Sequence, residues 1–199
     1  MRVCYKDQVL DLAEADSNKR IDELNQIFAT LFADNLIVQE VVIDGHSYRT
    51  GYENELLDRV SDIAEVRITA VSGEIVAYEL LQELKDYMPR LTKAIGSISE
   101  LFYGEMTPED WHSFSQLLVG INWVEQGIHI LVEQYERAQS SEPLAEVLRV
   151  AAARIPEVIQ EMEVCMEREE RVAVGDLIKY ELGDVFGGVE QAILSKVTA

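Results

Sequence analysis

The stretch from residue 77 to residue 102, AYELLQELKDYMPRLTKAIGSISELF, decides the fold of the second half of the chain. Its apolar residues recur at alternating steps of four and three, the spacing of a helix that packs against other helices. This first seam consists of Ala77, Leu81, Leu84, Met88, Leu91, Ile95, Ile98 and Phe102. The pattern predicts one long helix, with a kink or local unwinding at Pro89.

Two further seams keep the same rhythm. The second follows Thr107-Pro108-Glu109-Asp110, which supplies a capping hydroxyl, a proline at the first helical position and two acids in the first turn. Its members are Phe114, Leu117, Ile121, Val124, Ile128, Leu131 and Tyr135. The third comprises Leu144, Leu148, Ala151, Ile155, Val158, Met162 and Cys165. The helical spacing of the apolar residues is lost at residues 172–175, so a last helix is predicted to start at Asp176. Four helices joined by short loops predict an up-down-up-down four-helix bundle.

Residues 1–72 have the changing pattern of a small mixed α/β unit. Short alternating stretches at residues 2–5 and 8–12, on either side of a predicted Lys6-Asp7 turn, indicate a β-hairpin. The elements predicted after it are a helix at 18–33 capped by Ser17, a strand at 36–43 ending in Asp44-Gly45, an edge strand at 46–50, a helix at 53–60 and a strand at 65–71. The sequence therefore predicts an α+β protein, with an α/β domain at 1–72 and a helical bundle at 73–199.

The order of elements in residues 1–72 resembles the β-grasp arrangement of ubiquitin-like domains. Ubiquitin-like carriers end in a flexible diglycine tail, whereas Val71-Ser72-Gly73-Glu74 passes directly into a predicted helix. The resemblance thus implies an adaptor or a binding surface rather than carrier chemistry. The whole chain also resembles an uncharacterised family of small acidic bacterial proteins, on the segments Val41-Val42-Ile43-Asp44-Gly45 and Asp176-Leu177-Ile178-Lys179-Tyr180-Glu181-Leu182. That second resemblance implies a bacterial, cytosolic protein and assigns no activity.

The charge of the chain narrows the range of partners. Its 199 residues include 17 Lys and Arg against 37 Asp and Glu, for a formal net charge of −20. A surface this acidic repels phosphate backbones and anionic lipid headgroups, which argues against binding to nucleic acid or to a membrane surface. The start, MRVCYKDQ, has no signal-peptide pattern, and the most apolar stretch, residues 117–132, is interrupted by polar side chains. We therefore expect a cytoplasmic protein with a basic or apolar protein partner.

No catalytic signature is present, and the sequence predicts no enzyme and no cofactor. The three-residue set with the best spacing for a metal ion is Glu125, His129 and Glu133, which are four residues apart on one helix. It lacks the paired Glu-x-x-His motifs of di-metal bundles, so a metal-binding or enzymatic bundle is the alternative hypothesis. Gly183, Gly187 and Gly188 are not followed by the Lys-Ser/Thr of a phosphate loop, and we interpret them as close helix packing or a bend.

Five residues are predicted partner contacts. Tyr48, Arg49 and Tyr52 place two aromatic rings around a cation in the edge segment, and Trp111 and Trp123 lie at or beside the second seam. The leading hypothesis is a non-catalytic interaction or adaptor protein that self-associates through its bundle as a homo-oligomer. In support, Ile75, Leu80, Tyr87 and Leu101 lie outside the first seam and require cover. A cytosolic chaperone for an amphipathic client helix is a further alternative.

Overall fold

The chain has an α+β fold made of two compact units, Met1–Val76 and Ala77–Ala199. The computed structural model describes residues 1–6, 8–12 and 15–198. Each unit has its own buried apolar cluster. This division confirms the predicted class, in which a strand-containing part precedes a helical part, and the last strand ends at Ser72 where the first long helix begins at Gly73.

The first unit is a five-stranded mixed sheet with two helices. In chain order its elements are β1 (Arg2–Tyr5), β2 (Gln8–Asp11), α1 (Ser17–Ala33), β3 (Leu36–Ile43), β4 (His46–Tyr48), α2 (Tyr52–Arg59) and β5 (Glu65–Ser72). The strand order is β2-β1-β5-β3-β4. The two central strands β1 and β5 are parallel, and the other neighbours are antiparallel. The first and last strands therefore lie side by side, as the resemblance to a β-grasp sheet implies.

Local chemistry explains two features of this sheet. Asp44 and Gly45 have φ values of +46° and +87°, which a tight hairpin between β3 and β4 requires and which this dipeptide adopts readily. The Asp44 carboxylate also accepts hydrogen bonds from the backbone N–H groups of Ala64 and Glu65, at 3.0 and 2.8 Å, so the turn is tied to the start of β5. The turn predicted at Lys6-Asp7 falls partly outside the described residues, because Asp7 is not among them.

The cap predicted for α1 was wrong by one residue. Asp16, not Ser17, is the cap, and its carboxylate accepts a hydrogen bond from the N–H of Lys19 at 2.8 Å. Both residue types suit this position, and the carboxylate is the stronger acceptor beside the positive end of the helix dipole. Ser17 is the first helical residue, and its hydroxyl pairs with that of Ser61 at 2.9 Å.

The second unit is helical throughout. Its elements are α3 (Gly73–Ser99) with a 3₁₀ turn (Glu100–Tyr103), α4 (Pro108–Arg137), α5 (Pro143–Glu167), α6 (Arg171–Asp176), a π-helical segment (Leu177–Leu182) and α7 (Gly183–Thr198). The predicted start of α4 is confirmed as a capping box. The Thr107 hydroxyl accepts from the N–H of Asp110 at 3.3 Å, and the Asp110 carboxylate accepts from the N–H of Thr107 at 2.8 Å. None of the described helices is long and apolar enough to cross a membrane.

Contacts between the helices establish the up-down-up-down order. Between α4 and the first helix with its 3₁₀ turn, Phe114 meets Phe102 and Trp123 meets Tyr87, each at a ring separation of 5.0 Å, so residue numbers rise on one helix as they fall on the other. The last helical segment is antiparallel to α3 in the same way. Tyr103 bonds to Asp176 and Thr92 bonds to Glu190, both at 2.6 Å. The three predicted seams form the core of this bundle, with Ala77, Ile98, Tyr135 and Cys165 half-buried and the other members buried.

The last helix differs from the prediction. Helical structure begins at Arg171 rather than at Asp176, and it continues through the π-helical segment into α7. The buried residues Val174, Ile178, Leu182 and Phe186 are spaced by four throughout, and four residues overshoot the 3.6-residue turn of an α-helix. A π-helix has the wider i to i+5 turn, so one extra residue is absorbed and the apolar face stays toward the core. The phase is lost at residues 172–175 because α5 ends at Glu167 and a new helix begins at Arg171, and the π-helical segment then keeps the apolar face of that new helix toward the core.

The glycines that allow close packing are also different from those predicted. No atom lies within 4 Å of a Cβ built on Gly187 or Gly188, and the nearest at Gly183 is at 3.8 Å. A Cβ on Gly175 would lie 2.9 Å from Phe102 Cβ, and a Cβ on Gly120 would lie 2.5 Å from the Tyr87 hydroxyl. Gly175 therefore needs glycine for steric reasons, because the atoms that a Cβ would meet belong to the base of a side chain and to the backbone, whereas at Gly120 the added Cβ meets the mobile end of the Tyr87 side chain.

Candidate protein-interaction surface

Two of the three predicted contacts in the first unit pack against its core. Tyr48 ends the edge strand β4 and is half-buried against the core of the unit. Tyr52 begins α2 and stacks on Phe28 with a ring separation of 5.7 Å, and burial raises the pKa of its hydroxyl. Arg49 is exposed between them. Two rings that are already covered leave little aromatic surface for a partner, so this segment is the weaker surface of those predicted.

Trp111 closes one end of the bundle. Its ring meets those of Phe102 and Phe114 edge to face, at 5.9 and 6.2 Å, and it is half-buried against the core. Aromatic rings at such separations contribute beyond their buried area, which gives Trp111 a packing role within its own unit.

The three residues of the alternative metal hypothesis do not converge. His129 Nε2 and Glu125 Oε1 are 3.9 Å apart, and the His129 side chain is exposed while Glu125 is half-buried. Glu133 instead accepts two hydrogen bonds from the Arg137 guanidinium, at 3.2 and 2.8 Å. Among the described residues there is no group of three His, Cys, Asp or Glu side chains that could hold a metal ion.

Trp123 belongs to an apolar row on the outer face of α4. Val119 is 64% exposed, Trp123 37% and Ile130 39%, and they are spaced by four and seven residues, so they share one helix face. Gln116 and Gln126 occupy the remaining exposed positions of this row. We call these five residues, Gln116, Val119, Trp123, Gln126 and Ile130, the α4 stripe.

The α4 stripe is uncharged in an otherwise highly charged chain. From Trp111 to Val132 the sequence holds one Asp, Glu, Lys or Arg, which is Glu125, although such residues make up 27% of the chain. On α5 the exposed apolar residues are scattered. Val150 and Val164 of α5, for example, are about four turns apart, with Arg154, Glu157 and Glu161 on the surface between them. Scattered apolar residues are normal on a protein surface, whereas a contiguous apolar patch is typical of an interaction site.

The cover that α3 requires comes from within the same chain. Leu80 and Tyr87 are half-buried, and they lie over Gly127 and Gly120 of α4. Leu101 is also half-buried, whereas Ile75 is 53% exposed. Leu80 and Tyr87 are therefore covered in part by α4 of the same chain, because its glycines leave room for these larger side chains.

A groove of about 380 Å³ lies beside one end of the α4 stripe. Its floor is formed by apolar side chains of α3 and α4, including Leu91 and Leu117, and its rim carries Arg90, His112 and Gln116. The Arg90 guanidinium lies 5.2 Å from the centre of the Tyr87 ring, which in turn packs on Trp123. Gln116 belongs to both features, so the groove adjoins the α4 stripe on the side that faces α3.

The helical unit carries the similarity to known proteins. A model of the domain of unknown function DUF8042 matches residues 79–191, which is more than half of the chain. The chain belongs to the DUF8042 family. No curated protein and no solved structure matches it.

The DUF8042 segment contains all of α4 and α5 and leaves out the first unit. The α4 stripe therefore lies within the part of the chain that defines the family. Sequence reasoning identified Trp123 but missed Val119, Gln126 and Ile130. The sequence pattern that could have identified them is a second row of residues, spaced by four, three and four beside the core seam of α4, in a segment that has almost no charged residues.

A polar cluster closes the end of the DUF8042 bundle near the 3₁₀ turn. The Tyr103 hydroxyl donates to Asp176 at 2.6 Å, and this hydrogen bond raises the pKa of Tyr103 to about 12. Lys179 donates to Glu100 at 2.7 Å, and its ammonium lies 5.7 Å from the centre of the Tyr103 ring. Each polar group of this cluster has a partner within it, so the cluster fastens the 3₁₀ turn to the last helical segment.

Proposed function

We propose that this DUF8042 protein is a non-catalytic interaction protein whose helical unit binds protein partners through the α4 stripe. The observation that supports the proposal is the uncharged row with Val119, Trp123 and Ile130 exposed on one helix face. The centres of protein interfaces are depleted in charged residues and enriched in Trp, and a Trp flanked by aliphatic side chains is a common anchor. A contact on the α4 stripe removes apolar area from water without burying a carboxylate.

The remaining surface limits what the partner can be. The net charge of −20 makes close approach of an acidic protein costly wherever carboxylates face it. A partner must therefore be apolar where it meets the α4 stripe, and basic or neutral around it. We also propose the bacterial cytoplasm as its compartment, because Cys4 and Cys165 are free thiols and suit a reducing environment.

The test compares three variants of the full chain in quantitative affinity purification with mass spectrometry. Val119→Glu places a charge in the middle of the α4 stripe, and Trp123→Ala removes the proposed anchor. Val150→Glu is the matched control, because Val150 is 58% exposed on α5, outside the stripe. We expect the two α4 variants to lose the partners that the wild type and the control retain.

Retention of the same partners by Val119→Glu and Trp123→Ala would contradict the proposal. Circular dichroism of each variant checks that the helical content is unchanged, so that loss of binding is not loss of folding. A single dominant partner that binds through an amphipathic helix would favour the chaperone form of the proposal over a general adaptor.

A further inference from the structure

Four of the five residues of the α4 stripe are spaced symmetrically about a common midpoint. Val119, Trp123, Gln126 and Ile130 are separated by four, three and four residues, so the midpoint lies between Trp123 and Gln126. When two copies of a helix pack antiparallel about a two-fold axis at such a midpoint, a residue of one copy faces the residue of the other copy that lies equally far on the opposite side of the midpoint. Val119 then faces Ile130 of the second copy, and Trp123 faces Gln126 of the second copy.

We propose that a second copy of this chain docks on the α4 stripe, with the two α4 helices antiparallel and the two-fold axis between Trp123 and Gln126. This inference rests on the proposed function and names its partner. The steps of four and three are those of helix pairs that cross at about 20° and interlock their side chains. The Trp123 indole N–H also has an acceptor in this arrangement, since the facing glutamine carries an amide oxygen.

Electrostatics restricts where two copies can meet. Each copy has a net charge of −20, so surfaces rich in carboxylates repel their equivalents in the partner. Val119, Trp123, Gln126 and Ile130 lack an ionisable group, so the centre of the contact can form without desolvating a charge, and only Gln116 at its end faces a carboxylate, Glu133 of the second copy. The acidic surface thus makes the stripe the favourable place for self-contact.

Arg137 and the helix dipoles favour the antiparallel orientation of the two α4 helices. The first turn of α4 carries Glu109 and Asp110, and its last turn carries Arg137 beside Glu133 and Glu136. In an antiparallel pair Arg137 of one copy lies about one helical turn from Glu109 of the other, because it faces position 112. A parallel pair instead places Glu109 beside Glu109 and Arg137 beside Arg137. Antiparallel helix dipoles add to the same preference.

The first experiment is sedimentation of the full chain over a range of protein and salt concentrations. We expect a monomer–dimer equilibrium that tightens as salt rises, because salt screens the repulsion between two acidic chains. Val119→Glu should weaken the dimer about tenfold or more, and Val150→Glu should leave the dissociation constant within about twofold of the wild type. A chain that stays monomeric, or a dimer that weakens as salt rises, overturns the proposal.

The second experiment determines the orientation by disulfide crosslinking in a Cys4→Ser, Cys165→Ser background. Bonds form where Cα atoms come within about 7 Å. A mixture of Val119→Cys and Ile130→Cys chains should give a covalent heterodimer, and each variant alone should crosslink at least about fivefold less. Equal crosslinking of Val119→Cys alone indicates a parallel pair and overturns the antiparallel assignment.

The two proposals can fail separately. If the chain is monomeric while Val119→Glu still loses a captured partner, the second copy is the wrong occupant and the interaction function stands. If Val119→Glu changes neither self-association nor partner capture, both proposals are wrong.

Discussion

Gly175 provides the sharpest test of how the bundle is packed. It is buried in α6, and a Cβ at this position would lie 2.9 Å from Phe102 Cβ and 3.1 Å from the Ser99 carbonyl oxygen. Carbon atoms in ordinary contact are about 3.5 to 4.0 Å apart, so Gly175→Ala must push the 3₁₀ turn away by about half an ångström or more. Phe102 and Ser99 are 1% and 0% exposed, which leaves them no free space to move into.

The expected cost follows from two opposing effects. Overpacking of a filled core costs about 1 to 3 kcal/mol, whereas replacing glycine by alanine in a helix gains about 1 kcal/mol. Gly187→Ala is the matched control, because it makes the same change in α7 where no atom lies within 4 Å of the added Cβ. The helix-propensity gain cancels between the two variants. Gly175→Ala should therefore be less stable than Gly187→Ala by about 1 to 3 kcal/mol.

The assay is urea denaturation followed by tryptophan fluorescence. Both tryptophans, Trp111 and Trp123, belong to the helical unit, so their fluorescence reports on this unit separately from the first. If the same two variants are unfolded by heat instead of urea, each 1 kcal/mol of stability difference shifts the midpoint temperature by about 4 °C for a unit of this size. Equal midpoints for Gly175→Ala and Gly187→Ala would refute the reasoning, because the close contact would then carry no cost.

Three further changes test other parts of the bundle. Deletion of Tyr180 should be tolerated, because the buried residues of the last segment would then alternate steps of four and three, which an unbroken α-helix accommodates. Deletion of Gln160 is the control, because it rotates the rest of the α5 seam away from the core. Circular dichroism and the fluorescence midpoint measure both deletions, and similar losses in the two would contradict the role given to the π-helical segment. An absorbance titration should show one tyrosine that ionises near pH 12 in the wild type and is missing from Tyr103→Phe, since the hydrogen bond to Asp176 raises its pKa to about 12. The folded state favours the neutral Tyr103 hydroxyl, so its contribution to stability is complete below pH 10 and is lost as the pH rises toward 12. If the stability of the wild type and of Tyr103→Phe has the same pH dependence in this range, this prediction is contradicted. Thr107→Ala should lower the free energy of unfolding by about 1 kcal/mol because α4 loses its cap, while Thr107→Ser, which keeps the hydroxyl, should change it little.

The predictions that were confirmed concern features that depend only on residues close together in the sequence. The seams of α3, α4 and α5 were predicted residue by residue, because a period near 3.6 places every third or fourth side chain on one face. The Asp44-Gly45 turn and the start of α4 at Thr107 were predicted for a similar reason. Their backbone angles and caps depend on the residue types at the site itself.

The predictions that failed depend on which elements meet. Leu80 and Tyr87 looked uncovered because the sequence does not show that Gly127 and Gly120 lie beneath them. The α4 stripe was only half recognised, through Trp123, because exposure depends on which helix faces the neighbours leave open.

The sequence by itself determined the α+β class, the long antiparallel helices and the acidic surface, because hydrophobic periodicity and charge are properties of the chain. Tertiary structure alone decided that the last helix accommodates an extra residue as a π-helical segment, and that Gly175 rather than Gly187 is held against a neighbouring backbone. It also decided which uncharged face stays exposed, namely the α4 stripe. The physical reason is that close packing and exposure are set by the distances between elements far apart in sequence, which no local pattern encodes.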